Sequence, residues 1–187
     1  MIVETERLLV RRMRESDCRD LHEYLLDPET YVSEPGEPIG LDTARALARK
    51  RSEGADFLAV VLRGGEKMIG HLYFKQVEPL IYATWELGYI FNQAFRRRGY
   101  ASEASRAIVE QALRRVPPAF GAAHRVRACC DPRNVASWRV LEKIGMRREA
   151  HHKSNAFHRR GADGSPIWHD SYEYAMLAED LDAACEK

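Results

Sequence analysis

Residues 84–101 place the tightest limit on what this chain can become. Trp85, Leu87, Tyr89 and Phe91 alternate with Glu86, Gly88 and Ile90, the two-residue period of a strand with one apolar face. The turn Arg96-Arg97-Arg98-Gly99-Tyr100-Ala101 follows. Then Ala101, Ala104, Ile108 and Ala112 recur at helical spacing, opposite Glu103, Arg106, Glu110 and Arg114. A strand that ends in a glycine turn and feeds a helix leaves several backbone N–H groups unpaired at the helix start. Together with the positive end of the helix dipole, those donors make a site for an anion. Gly99 permits close backbone approach or a left-handed conformation, Ala101 keeps the first turn small, and three arginines add a positive field suited to a polyphosphate. A solvated basic loop capping a helix has the same local sequence. The turn alone therefore specifies an anion site and not its ligand.

The flanking segments predict a single mixed α/β domain over residues 1–187. Residues 8–13 read as a strand. A helix capped by Ser16-Asp17 carries Leu21, Tyr24 and Leu25 up to Asp27-Pro28. Residues 33–40, with two prolines and two glycines, form a loop before a second helix over 41–52. Strands over 57–62 and 68–76 flank Gly64-Gly65, a hairpin signal. Val116-Pro117-Pro118 ends the helix that starts at the arginine turn, and 124–130 reads as a buried strand. Asp131-Pro132-Arg133-Asn134 turns into a helix with Val135, Trp138, Leu141 and Ile144 inward, closed by Gly145. Residues 146–154 and 172–177 are expected as a last strand pair, with 161–166 as the loop between them. Parallel pairing is expected only where a helix joins two strands.

Composition narrows the function classes. Of 187 residues 45% are hydrophobic and 30% charged, as in soluble globular chains, and 29 basic residues against 28 acidic leave a net charge of +1. That balance argues against a dedicated nucleic-acid or membrane-surface protein. RNA binding through the arginines would also call for an aromatic-basic motif that is missing. Cys18, Cys129, Cys130 and Cys185 form no C-x-x-C pair, so neither a zinc site nor a disulfide framework is expected. With no signal-like start and no run of eighteen apolar residues, the reading is a cytoplasmic protein.

Two motifs in order then carry a resemblance. Glu86-Leu87-Gly88-Tyr89-Ile90-Phe91-Asn92, followed by Phe95 and the arginine turn, resembles the acyl-CoA-binding core of the GNAT acetyltransferases, whose signature Q/R-x-x-G-x-G/A is matched by Arg96-x-x-Gly99-x-Ala101. Asn134-x-x-Ser137-x-x-x-Leu141-Glu142-Lys143-x-Gly145-Met146 is similar to the next motif of that superfamily. The opening residues 4–11 and the closing residues 168–175 are similar to the branch of ribosomal-protein N-acetyltransferases of the RimJ/RimL type. The resemblance implies a central, mostly antiparallel mixed sheet of about seven strands, splayed open at the cofactor site and flanked by about four helices. It implies an acetyl-CoA-dependent N-acetyltransferase that needs no metal, acting on a protein N-terminal α-amine or a small-molecule amine. It allows a homodimer and leaves the interface unlocated.

Roles follow residue by residue from the resemblance. The pyrophosphate would lie on the N–H groups of Arg97, Arg98, Gly99, Tyr100, Ala101 and Ser102, beside Arg96. The pantetheine arm would pair like an added strand beside Tyr89, Ile90 and Phe91. The N–H of Ile90 or Phe91 would polarise the thioester carbonyl, and Asn134 would bond the pantetheine or simply cap its helix. Glu86 would take the amine proton, or be a structural carboxylate; Ser137 would protonate the departing thiolate, or pack against the sheet. Many superfamily members carry a tyrosine acid at the position of Leu141, so the acid is left open, with Tyr172 and Tyr174 as further candidates. Loop 32–40 and residues 156–168 are expected as acceptor-pocket walls, with Glu34 and Glu37 able to supply acidic groups. His151, His152, His158 and His169 gather with Asp163 and Asp170 at spacings that fit no standard metal pattern. A non-catalytic acyl-CoA-binding sensor or regulatory module would keep the arginine turn and dispense with the base.

Overall fold

The fold is that of a computed structural model, which describes residues 2–114 and 123–185. The chain runs β1 (Ile2–Glu4), β2 (Leu8–Arg12), α1 (Cys18–Leu25), α2 (Leu41–Glu53), β3 (Phe57–Leu62), β4 (Met68–Gln76) and β5 (Thr84–Phe91). It continues through α3 (Tyr100–Leu113), β6 (Arg125–Cys130), α4 (Val135–Lys143), β7 (Arg147–Arg160), β8 (Pro166–Leu177) and α5 (Ala178–Cys185). The eight strands form one sheet in the order β1-β2-β3-β4-β5-β6-β8-β7. Every neighbouring pair is antiparallel except β5 with β6, the two strands joined through helix α3. That exception is what the sequence predicts, because a parallel neighbour needs a crossover.

The alternation in β5 divides its side chains between two cores. Leu87 and Phe91, with Trp85 and Tyr89 beside them, join Ile108, Leu113, Leu141 and Met176 under α3 and α4. Ile90 packs instead with Leu21, Tyr24, Ala48 and Met68 under α1 and α2. The sheet therefore separates two helical layers, and each face of β5 looks at a different one. Ile108 is fully buried in α3. Its truncation to Ala would cost about 2–5 kcal/mol in lost packing.

Several boundaries differ from the sequence reading. The sheet has eight strands rather than seven, because Ile2–Glu4 adds a short edge strand to β2. A fifth helix, α5, docks Leu181 into the larger core. The final pair is much longer than expected, since β7 and β8 continue into residues 156–168, where Ala156 pairs with His169 and Phe157 with Trp168. The ladder, broken by bulges, holds this polar ribbon as a strand pair where side-chain patterning gives no strand signal. The expected stop at residues 116–118 lies outside the described residues. Helix α4 starts as predicted, with the Asn134 side chain accepting from the Ser137 N–H at 3.1 Å.

Candidate active site

The arginine turn departs from ordinary backbone at two positions. Gly99, the N-cap of α3, has φ 81° and ψ 0°, and Arg97 has φ 61°. A glycine takes the left-handed region freely, whereas an arginine there is held by its surroundings. Arg7 is one such support. Its Nη1 donates to the Arg98 carbonyl at 3.1 Å, its Nε donates to Glu103 at 2.7 Å, and its guanidinium lies 4.7 Å over the Tyr100 ring. Among the described residues, none accepts a hydrogen bond from the N–H groups of Arg97, Arg98, Gly99, Tyr100, Ala101 or Ser102.

Four of those residues, Arg97, Arg98, Gly99 and Ser102, line a cavity of about 470 Å³ together with Arg7, Glu103, Arg106 and Lys143. Five cations thus face one carboxylate. Burial alone would raise the Glu103 carboxyl, but hydrogen bonds from Thr5 and Arg7 outweigh it and hold it below its ordinary range. Glu103 therefore orients Arg7 rather than cancelling the cavity. Arg7, Arg106 and Lys143 were absent from the sequence-derived site. They come from β2's approach, the exposed face of α3 and the last turn of α4, which no local motif brings together.

Beyond the cavity the sheet opens. Strands β5 and β6 pair only from Thr84 with Arg125 to Glu86 with Arg127, then part. On its other edge β5 stays paired with β4 as far as Phe91. The Asn92 N–H donates to Ile69 O and the Thr84 carbonyl accepts from Val77, so even-numbered residues direct their backbone groups at β4. Alternation then turns the N–H groups of Tyr89 and Phe91 toward the opening and that of Ile90 away from it. Of the two donors expected from the sequence, geometry favours Phe91.

Tyr89 crosses the gap with its side chain. Its hydroxyl donates to the Ser137 carbonyl at 2.9 Å and lies 3.0 Å from Ser137 Oγ. Burial raises the Tyr89 phenol well above its usual value, so it stays protonated at neutral pH. Burial likewise pushes the Cys130 thiol up to about 12, which leaves it a poor nucleophile. Tyr89, Ser137 and Cys130 thus gather protons, not negative charge, at the mouth. Asn134 spends its carbonyl oxygen on the helix cap.

The carboxylates on the other side of the opening are paired with basic side chains. Glu86 is bound by Arg127, whose Nη2 and Nε donate to Oε2 at 2.8 and 3.1 Å. Glu173 lies 3.0 Å from His152 Nε2, and buried Asp131 is paired with Arg133 at 2.6 Å. The loop between α1 and α2 leans over this face, pinned where Arg159 of β7 donates to the Tyr31 carbonyl at 3.0 Å. Burial pushes the Glu34 carboxyl up to about 7, with Arg96 as the opposing charge. Its charge also bears on Tyr89 and Cys130. Glu34 was visible in the sequence as an acidic loop residue, but nothing there placed it beside β5 and β6.

The remaining candidates fall elsewhere. Tyr174 is buried and donates to Glu142 at 2.9 Å, and Tyr172 packs edge-on against His151. Leu141 is core. His151 meets Asp170 at 2.8 Å, whereas His158 lies against His169 with ring centroids 4.4 Å apart and planes tilted by 45°. Asp163 caps its own turn through Ser165. Among the described residues, no three His, Cys, Asp or Glu side chains converge to hold a metal ion. None of the helices among the described residues is long and apolar enough to cross a membrane.

A glycine-started helix beside a sheet that opens at its one parallel pair defines an acyl-CoA-type transferase fold. The model of the acetyltransferase (GNAT) domain matches residues 7–147, and the chain belongs to that family. It is 33% identical to the uncharacterized N-acetyltransferase YnaD of Bacillus subtilis (strain 168), over 96% of this chain and 99% of that one. A GNAT-family acetyltransferase structure from Bacillus anthracis superposes with a TM-score of 0.84 at 33% identity, covering 96% of this chain and 99% of that one. RimL, the ribosomal L7/L12 α-N-protein acetyltransferase, solved with coenzyme A, shares the fold at 21% identity and a TM-score of 0.77, covering 95% and 98%. The chain is an N-acetyltransferase of the GNAT family.

Proposed function

We propose that this enzyme transfers the acetyl group of acetyl-CoA directly to a primary amine. The observation that carries the donor is the run of six N–H groups without acceptors, four of them on residues that line a cavity with five cationic side chains. A pyrophosphate matches that arrangement in charge and in hydrogen-bonding capacity. Arg7 and Glu103 hold the loop in shape before anything binds, so little ordering cost is left for the ligand. From the cavity, the gap beyond Glu86 and Arg127 offers the free edge of β5, where an extended pantetheine arm can add as a strand.

Catalysis of this kind needs alignment, an oxyanion donor and proton traffic. Phe91 N–H faces the gap and would stabilise the negative charge that develops on the thioester oxygen. Ser137, held against Tyr89, would deliver a proton to the sulfur as the C–S bond breaks, with Tyr89 replenishing it. Asn134, in this account, keeps its cap while its amide N–H groups remain for the pantetheine. Glu86 would remove the proton of the amine through Oε1, since Arg127 donates only to its Oε2.

The acceptor reading rests on the carboxylates across the opening and on the likeness to RimL and other α-N-acetyltransferases of ribosomal proteins. It covers a protein N-terminal α-amine or a small amine, in a single domain spanning the chain. A thiol-release assay with acetyl-CoA and a panel of peptides with varied N-termini, polyamines and aminoglycosides tests it. Release of CoA matched by acetylated amine supports the reading. Tight acetyl-CoA binding without release across the panel counts against transfer to these acceptors.

A further inference from the structure

Under α2 the protein holds a half-buried arginine with no carboxylate. The Arg51 guanidinium lies 4.0 Å over the Phe57 ring, and its Nη1 is 3.4 Å from Nε2 of buried His71. Nδ1 of the same imidazole is 2.7 Å from the hydroxyl of Tyr24, which is also buried. Among the described residues no other group bonds Arg51, and its Nε is sealed from solvent without an acceptor. An unpaired cation kept this far from water is costly unless something else supplies the counter-charge.

Counting protons along this chain shows what is missing. Burial keeps His71 neutral and Tyr24 protonated, so the imidazole carries one N–H and the phenol one O–H. If Tyr24 donates to Nδ1, then Nε2 carries the ring proton and points it at Arg51, which has only donors to offer. If Nδ1 donates to Tyr24 instead, Nε2 can accept from Arg51, and the buried phenol proton is left over. Either tautomer leaves one donor without an acceptor, and Arg51 Nε is a second. One added acceptor resolves the first tautomer completely. Two donors 3.4 Å apart can share a single oxygen, so an anion there would receive from both Arg51 Nη1 and His71 Nε2. One cation in the last turn of α2 matches a single negative charge, that of a carboxylate, better than a phosphate dianion.

The register places this cluster on the acceptor side. His71 lies opposite Ile90 in the β4–β5 ladder, and Tyr73 lies opposite Gly88. Ile90 packs into the same core as Tyr24 and Phe57. The other edge of β5 is free beyond Glu86. Arg51 therefore stands one strand back from the edge where the thioester would lie. At about 4.8 Å per strand spacing, an amine aligned at that edge is roughly 10 Å from the guanidinium. Two or three residues of extended peptide, at about 3.3 Å each, cover that span.

We propose that Arg51, with His71 beside it, binds a carboxylate carried by the acceptor and so selects acidic amines. This rests on the acetyltransferase reading above. The carboxylate closes the proton count, and its fixed distance from the amine aligns the nitrogen with the acetyl carbon. Acceptors with an amide in its place leave the same donors unpaired and are discriminated against for that reason.

The test compares two pairs of acceptors on the full chain with acetyl-CoA. One pair is the amidated tripeptides Ser-Glu-Ala and Ser-Gln-Ala; the other is 6-aminohexanoate and its amide. The carboxylate member of a pair is expected to have a kcat/KM about 30-fold higher, and Arg51→Met should bring that ratio close to one. A preference within the first pair alone identifies acidic peptides as acceptors, and within the second alone small amino acids. Nitrogen-15 NMR of His71 in the CoA-loaded protein should shift with the preferred acid and not with its amide. Arg51→Met should unfold in urea no earlier than the wild type, since an unpaired buried charge is removed. No preference in either wild-type pair, or a preference that survives in Arg51→Met, would overturn the proposal and leave the transferase reading intact. If none of the four is acetylated although acetyl-CoA binds, transfer to these amines fails. Calorimetry of glutarate on the CoA-loaded protein then decides the carboxylate site: binding lost in Arg51→Met supports it, and no binding to the wild type overturns it. Should Arg51→Met fold poorly, Arg51→Lys, which keeps the charge without the fork, is expected to retain only part of the preference, and an undiminished one overturns the proposal.

Discussion

The two sides of the sheet opening hold their charges differently, one mostly as cations around a cavity and the other as carboxylates with basic partners. Arg7, Arg97, Arg98, Arg106 and Lys143 line the cavity at the start of α3, whereas Glu34, Glu86, Asp131 and Glu173 populate the face under α1 and α2. A net charge of +1 conceals this separation completely. The basic side is built to hold a polyanion through rigid backbone donors. On the other side Glu86, Asp131 and Glu173 each have a basic partner, and Glu34 has Arg96 as its opposing charge. In the proposed function the first side binds the donor and the second receives the amine.

Three changes would break or sharpen that contrast, beginning with the largest effect. Ser137→Ala should lower kcat about 100-fold while acetyl-CoA affinity stays constant if, as proposed, the hydroxyl serves the leaving sulfur and not the bound donor. Steady-state thiol release and calorimetry together check it, and Tyr89→Phe should show a smaller loss of the same kind. The second concerns the carboxylate side. A folded-state carboxyl raised to about 7 keeps its proton where the unfolded chain, with an ordinary carboxyl, has lost it. Stability therefore falls as pH rises from about 4.3 to about 7. Glu34→Gln should match the wild type near pH 4 and exceed it by about 2 kcal/mol at pH 8, a figure discounted for partial exposure. Urea melts at the two pH values measure the difference. Third, Arg7→Ala should weaken acetyl-CoA binding about tenfold and flatten its salt dependence, since a charged brace and one cation are lost together.

The same contrast separates what the sequence could disclose from what it could not. The donor side is written locally. The strand alternation over 84–91, the Gly99 turn and the Asn134 cap each span a few residues, and each has the predicted geometry. The acceptor side is assembled from distance. Glu34 comes within electrostatic reach of Tyr89 and Cys130 from the α1–α2 loop, which Arg159 fastens from the far hairpin. Arg7 reaches Arg98 across 91 positions. Even the hairpin was half-hidden. Residues 147–160 alternate no apolar face, so the ladder to β8, rather than burial, makes them a strand. Glu86 was correctly placed on its face, but the arginine opposite it in the parallel pair could not be foreseen without the register.

The arginine turn remains the basis of the account, and one substitution interrogates it alone. Gly99 has φ 81°, and a Cβ there would meet only Arg7 Nη2, at 3.4 Å, so strain rather than collision is the cost of a side chain. Gly99→Val would push this residue out of the left-handed region and turn the neighbouring N–H groups away from their common focus. Calorimetric titration with acetyl-CoA, alongside a circular-dichroism check of the fold, should show affinity reduced about 100-fold or more in a folded protein. Unchanged affinity in folded Gly99→Val would contradict the assignment of this turn as the pyrophosphate site.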